Sequence, residues 1–536
     1  MHRFRLLVAG AVVMATLGLI APQTVVARSA APRWVLHVKR FSGGISNGVR
    51  FSLDPAVVRA QAGFSPRFAA PSKNHGGNVQ MNSDSYPPMP QNEESVAYST
   101  DNPKVAVAAA NDYVSGGNIV MRTTDGGKHW SSTSVVPVFF PTRDGCSGGD
   151  PSVAYSSRDH AFYMSQLCFF RTQAPSEIQI YVSLDKGATW TPGRQAAVAA
   201  TNYDAATDTV DGSIFNDKPY IAVDNNRHSR FYGRLYVSYT RFHIAADGSS
   251  DSCPIRLSYT DDVPAVNPQL TTWTDKAVVP DDFGGTGVGE SANQFSVPVV
   301  EKDGTLDVAY ALEECNSSID HGMRFQRSTN GGASFMKKPV KVNKPGQWKD
   351  NPDAADLLPT TAFRAPNTIS LAYSPKTGTL AYVYTNYISG RANGNIDVSL
   401  SHDGGMTWSN AKTISLENGK AARNNQFFPW IAADQRGRFV AVWLDRRQDP
   451  RNHKIGTFEA RSTNDGRSWR NLRISTATWN PDIGFFTSGA FIGDYIGIAA
   501  NTDVIYPVWT DGRDSAFAKT GIGETDVFTD IEIGWR

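Results

Sequence analysis

Short apolar runs, each broken by polar or turn residues, recur along the chain from about residue 90 to its end. Ser95-Val-Ala-Tyr98 and Val105-Ala-Val-Ala-Ala109 form one pair of runs, and Ile221-Ala-Val223 and Leu235-Tyr-Val-Ser-Tyr239 form another. Trp430-Ile-Ala-Ala433 and Phe439-Val-Ala-Val-Trp443 make a third. Runs this short, rich in Val, Ile and aromatic residues, predict β-strands.

A polar octapeptide follows the paired runs. Thr123-Thr-Asp-Gly-Gly-Lys-His-Trp130, Ser183-Leu-Asp-Lys-Gly-Ala-Thr-Trp190, Ser328-Thr-Asn-Gly-Gly-Ala-Ser-Phe335, Ser401-His-Asp-Gly-Gly-Met-Thr-Trp408 and Ser462-Thr-Asn-Asp-Gly-Arg-Ser-Trp469 share one pattern, Ser/Thr-x-Asp/Asn-x-Gly-x-Thr/Ser/His-aromatic. A degenerate copy is split by an insertion between Ser258-Tyr-Thr-Asp261 and Thr271-Thr-Trp273. The pattern suits a hairpin turn: Asp or Asn accepts hydrogen bonds from the turn's amides, Gly adopts an angle other residues resist, and the aromatic covers the hairpin. The closing aromatics at 130, 190, 273, 335, 408 and 469 are 60, 83, 62, 73 and 61 positions apart. That is the length of one four-stranded antiparallel unit, so the repeat predicts an all-β propeller.

Three more strands follow the last box: Tyr495-Ile-Gly-Ile-Ala-Ala500, Val504-Ile-Tyr-Pro-Val-Trp509 and Asp526-Val-Phe-Thr-Asp-Ile-Glu-Ile533. A seventh blade is then one strand short. Trp34-Val-Leu-His-Val38 or Asn78-Val-Gln-Met81 would supply it, closing the ring between the two ends of the chain. Seven blades over residues 91–536 are expected, with six as the alternative.

Composition agrees with this reading. Gly and Pro number 46 and 30 in 536 residues, too much punctuation for a long-helix protein. Lys+Arg is 52 against Asp+Glu 51, so a net charge of +1 favours neither nucleic acid nor an anionic membrane as partner. His2, Arg3 and Arg5 precede an apolar stretch from Leu6 to Ala21 and then Val25-Val-Ala27, the pattern of a secretory signal peptide over 1–27, with cleavage extending up to 30. Residues 28–90 then form an N-terminal leader that contributes at most one ring-closing strand. A secreted protein, in the extracellular space or cell envelope, is expected, monomeric and without a membrane span after signal removal. An even count of cysteines in an oxidising compartment is compatible with disulfides, and Cys146, Cys168, Cys253 and Cys315 allow three pairings. No His, Cys or carboxylate spacing indicates a metal, and Gly284-Gly-Thr-Gly287 lacks the strand-to-helix setting of a phosphate loop, so no cofactor is expected.

The boxes resemble those of the sialidase superfamily of Asp-box (bacterial neuraminidase repeat) propellers. The resemblance implies that each box joins the third and fourth strands of a blade, on the face opposite the active site. Enzymes and non-enzymes share such boxes, so they identify a fold and not a reaction. On this indexing the ends of the second strands lie on the opposite, upper face. They carry Asn111-Asp112, Phe170-Arg171, Thr240-Arg241, Glu313-Glu314, Asn386-Tyr387, Asp445-Arg446-Arg447 and Asp511-Gly512-Arg513. The starts of the inner strands, at Glu93-Glu94, Asp150, Asp217-Lys218, Gln294, Asn367, Asn425-Gln426 and Asp494-Tyr495, would ring the mouth of the central channel. The same indexing pairs Cys146 with Cys168 and Cys253 with Cys315, two free thiols being the alternative for the second pair.

Glycosidases need two carboxyls, one protonated and one ionised. Sialidases replace one by a Tyr–Glu nucleophile and grip the substrate carboxylate with arginines. The candidate catalytic residues are therefore Asp445, Asp511, Glu313, Glu314, Tyr495 and Asp494, with Arg171, Arg241, Arg446, Arg513, Tyr387 and Gln426 as substrate-binding candidates. The Phe/Tyr-Arg-Ile-Pro motif of the sialidases is absent, so no catalytic residue is carried over from that family. The expectation is a sialidase-like glycoside hydrolase acting on an acidic glycan. A polysaccharide lyase and a non-catalytic propeller that binds glycan or protein are the alternatives, the Asp-Arg pairs then serving only to hold blades together.

Overall fold

The computed structural model describes residues 31–64, 72–82, 88–264, 267–280, 285–482, 486–514, 523–530 and 535. The signal-peptide segment lies outside them. Among the described residues, no helix is long and apolar enough to cross a membrane.

Seven antiparallel sheets follow one another around an axis. Blade 1 runs through Gln91–Tyr98, Ala106–Asp112, Gly117–Thr123 and Ser131–Val135, from the inside outward. The inner strands of blades 2 to 7 are Ser152–Ser156, Ile214–Val223, Gln294–Val300, Ile369–Tyr373, Gln426–Ala433 and Gly497–Ala500. Apolar side chains lie on both faces of the strands because each sheet is covered on both sides by its neighbours. Ala381 and Val383 of blade 5, for example, pack with Trp443 and Phe458 of blade 6.

The octapeptides form the outer turns that their residues predict. In blade 5 the Ser401 hydroxyl donates to Asp403 Oδ1 (2.8 Å), the Gly405 amide donates to Ser401 Oγ (2.8 Å), and Trp408 Nε1 donates to the Gly405 carbonyl (3.0 Å). The same three bonds recur at Ser462, Gly466 and Trp469. Gly405 has φ +79°, which explains the glycine.

Blade 7 is completed from the other end of the chain. Asn78–Gln80 pairs with Asp526–Asp530, and Lys73–His75 adds a fifth, outermost strand. Of the two segments that the sequence offers for ring closure, Asn78–Gln80 fills the place. Trp34–Val38 does not: it lies in helix α1 (Arg33–Arg40), whose Trp34, Val35, His37 and Val38 form one buried stripe at helical spacing.

Helix α1, α2 (Asn47–Phe51) and α3 (Pro55–Ala62) form an arm across the upper face. Trp34 packs on Phe169 of blade 2 and Phe215 of blade 3, while Phe51 stacks on Phe486 and Phe491 before blade 7. The Asp54 side chain caps α3 and accepts from Thr487 and Ser488, pinning the far end of the arm. Both disulfides expected on this face are present, Cys146–Cys168 and Cys253–Cys315. Gly44 of the arm sits so close to Cys315 that a Cβ there would lie 2.2 Å from the Cys315 carbonyl oxygen.

Candidate functional site

The inner strands of blades 1, 3, 4 and 6 share an irregularity at their upper ends. Pairing with the second strand slips between Asn92 and Ser95, Asp217 and Tyr220, Gln294 and Val297, and Phe427 and Trp430. Within these bulges Glu93, Lys218, Phe295 and Phe428 take φ between +50° and +63°. A left-handed conformation costs a non-glycine residue about 1–2 kcal/mol, and the bulge re-aims its side chain.

Two of these residues meet at the centre. Lys218 Nζ lies 2.9 Å from Asp494 Oδ2, 3.0 Å from Glu93 Oε1 and 3.8 Å from Asp150 Oδ2. Every member is buried, and although burial disfavours the ammonium, the surrounding carboxylates outweigh it and hold Lys218 protonated. The arm closes this ring from above. The Ser46 amide donates to Asp217 Oδ2 (2.8 Å), the Ser46 hydroxyl donates to Asp150 Oδ1 (3.2 Å), and Gln294 Nε2 donates to the Gly44 carbonyl (2.9 Å). Below, Tyr220, Trp430 and Tyr495 pack ring to ring and line the channel. The expected ring of polar groups exists, but it is covered by the chain's own N-terminal segment and does not open to solvent along the axis.

A second acidic cluster lies beside it, on blades 4 and 5. Glu313 ends the second strand of blade 4, Asp320 begins its third, and Asp350, Asp356 and Arg364 come from the crossing into blade 5. Arg364 Nη2 donates to Asp494 Oδ2 (2.6 Å), which links the two clusters. Burial beside these two cations sets the pattern. Asp494 is held below the ordinary carboxylate range by Arg364 and Lys218 despite its burial. Glu313 is pushed up to about 8 by burial, against the opposing pull of Arg364. Asp320 and Asp356 are raised well above the ordinary range by burial and by their acidic neighbours. Asp350, only half-buried, is pushed up to about 7, also chiefly by burial. Its oxygens accept from the amides of Asp320 (2.9 Å) and Asn351 (2.8 Å) and from Asn367 Nδ2 (2.5 Å).

Most acceptors of this cluster are unused. Neither carboxyl oxygen of Glu313, Asp320 or Asp356 takes part in a well-formed hydrogen bond, although the Gly44 amide faces Glu313 and Asn367 faces Asp320. Tyr387 is 2% exposed, its hydroxyl has no partner, and the charges of Asp356 and Asp350 act on it. Buried polar atoms are nearly always paired, so this concentration is unusual.

Of the residues singled out from the sequence, Glu313, Asp494 and Tyr387 belong to this assembly. The others are engaged elsewhere. Asp445 accepts from Trp443 Nε1 (2.8 Å) and from Arg447 Nε and Nη2 (2.9 and 2.7 Å). Asp511 repeats the arrangement with Trp509 Nε1 (3.1 Å) and Arg513 Nε and Nη2 (3.0 and 2.7 Å). Both are Trp-x-Asp-x-Arg clamps at the ends of second strands, whose arginines also reach the preceding crossing, Arg447 at the Leu416 carbonyl and Arg513 at the Thr476 hydroxyl. Arg446 instead donates to the Pro359 and Asn452 carbonyls (both 3.0 Å). Arg171 holds the arm through the Ser52 carbonyl and Gln61, and Arg241 bonds Asn216, Tyr239 and Asp275. Glu314 accepts from Ser317 and pairs with His321, Gln426 donates to the Arg423 and Asn424 carbonyls, and Tyr495 lies in the channel wall with Lys218 over its ring. Each of the four arginines expected to grip a carboxylate is hydrogen-bonded within the protein. Asp320, at the start of a third strand, and Asp350, Asp356 and Arg364, in the crossing into blade 5, were not singled out from the sequence because no repeated pattern marks them.

No protein-family model matches the chain, and no curated protein matches it. Among solved structures it is similar to a Hadza microbial sialidase, at 14% identity and TM-score 0.41, covering 68% of this chain and 63% of that one. It is also similar to the α-L-arabinanase of Penicillium chrysogenum complexed with arabinobiose, at 14% identity and TM-score 0.42, covering 71% and 92%. A third similarity is to an ulvan lyase of polysaccharide lyase family PL25, at 10% identity and TM-score 0.38, covering 68% and 77%.

Proposed function

We propose that this propeller cleaves a glycan at the acidic cluster of blades 4 and 5, by general acid and base catalysis. One observation carries the reading: carboxyls that share Arg364 are displaced in opposite directions, Glu313 up to about 8 and Asp494 downward. Glycosidic hydrolysis needs one carboxyl that keeps its proton at neutral pH beside one that does not. Asp350, pushed up to about 7 and reaching the surface, is suited to give a proton to the leaving oxygen. Asp494 supplies fixed negative charge, oriented by Arg364 and Lys218.

The test is product release from a panel of polysaccharides and aryl glycosides. Asp350→Asn should lower turnover roughly 100-fold or more, as expected for loss of a general acid. The reading fails if no substrate is cleaved, or if Asp350→Asn and Glu313→Gln both leave turnover intact. A second reading, binding without turnover, is favoured by the cover over Glu313 and Asp494, which are 1% and 0% exposed. It predicts retention of a glycan with no product.

A further inference from the structure

We propose that Glu313, Asp320, Asp350 and Asp356 form a receptor for a protonated amine, carried by a hexosamine unit of the glycan. The proposal rests on the glycan reading above and names its substrate class.

The upper face holds two groups of acids, and they differ in one respect. Glu93, Asp150 and Asp494 surround the ammonium of Lys218. The neighbouring group has no ammonium of its own. Arg364 hydrogen-bonds Asp494 and acts on Glu313 and Asp356 only through its charge, and Arg50 of the arm donates to Asn47 and to the Phe41 carbonyl. Buried carboxyl oxygens outside well-formed hydrogen bonds, as both are at Glu313, Asp320 and Asp356, are costly, and an ammonium with three donors resolves that, as Lys218 does next door.

Independent support comes from uncharged groups. The Tyr387 hydroxyl, Asn351 Nδ2 and Asn367 Oδ1 are buried without partners, and they suit the hydroxyls of a sugar ring. A carboxylated sugar fits poorly, because Arg171, Arg241, Arg446 and Arg513 are all engaged within the protein.

The experiment is calorimetric titration of the full chain at pH 6.5 with glucosamine oligomers, their N-acetylated counterparts, glucuronate-containing oligosaccharides, putrescine and calcium chloride. The glucosamine oligomer should bind at least 10-fold more tightly than the N-acetylated one. Asp356→Asn and the half-exposed Asp350→Asn should each remove that preference, in proteins whose melting temperature shows that they fold. Equal or tighter binding of the N-acetylated or glucuronate oligomer, binding of calcium in place of amine, or no amine binding at all would overturn the proposal. Putrescine bound without any oligosaccharide would leave the amine receptor standing and sink the glycan reading instead.

Discussion

Lys218 and Asp494 are 276 positions apart in the chain, yet their charged atoms lie 2.9 Å apart at the centre of the propeller. The contact ties blade 3 to the start of blade 7, while Glu93 and Asp150 bring blades 1 and 2 to the same ammonium. Arg364, from the crossing into blade 5, completes the hub at 2.6 Å from the same Asp494 oxygen.

Removing the ammonium leaves Glu93 and Asp150 without their counter-charge and Asp494 with Arg364 alone. Lys218→Met is expected to lose about 3–5 kcal/mol of stability, the usual result of breaking one side of a buried pair. Urea unfolding measures it, and the double variant Lys218→Met with Asp494→Asn should recover part of the loss.

The two Trp-x-Asp-x-Arg clamps hold strand ends and take no part in the acidic cluster. Asp445→Asn and Asp511→Asn should each cost about 1–3 kcal/mol, through weakened charged hydrogen bonds, while ligand binding and turnover stay at the wild-type level. A melting curve beside a binding isotherm separates the two effects. Loss of binding without loss of stability would put these residues back in the site.

His37 sets one limb of the pH profile. It is buried, its Nδ1 donates to the Gly248 carbonyl, and burial pushes the imidazole down to about 4. Between pH 6.5 and 4 the unfolded chain takes up a proton that the folded chain refuses, so stability falls as pH drops through that window, by roughly 3 kcal/mol in all. Glu313 acts in the opposite sense: its folded value of about 8 means the native state keeps a proton that the unfolded chain releases above the ordinary carboxyl range. That contribution lowers stability as pH rises toward 8. Unfolding midpoints against pH should flatten on the acid side in His37→Gln and on the alkaline side in Glu313→Gln.

The arm can be lifted by a side chain at a single glycine. Gly44 has φ +78°, and a Cβ there would press on the Cys315 carbonyl, while one at Gly43 would lie 2.1 Å from the Ser317 backbone. Gly44→Val is expected to make α1 to α3 sensitive to protease while the blades stay resistant. An arm as resistant as in the wild type would show that the face repacks around the branch.

Reduction of the disulfides should matter in proportion to the loops they close. Cys253–Cys315 spans 62 positions and Cys146–Cys168 spans 22, corresponding to about 4 and 3 kcal/mol on the chain-entropy account. Single Cys→Ser pairs, melted under non-reducing conditions, give both values.

What the sequence alone determined is local in origin. Strand length follows from short apolar runs, and the outer turns follow from Ser401, Asp403, Gly405 and Trp408 and their repeats, whose bonds span at most four positions. The blade period, the upper-face position of both disulfides and the need for a ring-closing strand, offered at Trp34–Val38 or Asn78–Met81, were therefore readable. Only the tertiary structure decided which carboxyls would meet. Asp445 and Asp511 carry the most repetitive motif, and their repetition turned out to mark a clamp, whereas Asp350, Asp356 and Arg364 sit in an unpatterned crossing. The helices of the arm and the contacts of Lys218 with Glu93, Asp150 and Asp494 were hidden for the same reason: a buried charge is satisfied by partners from distant blades, and no local pattern records which of them will meet.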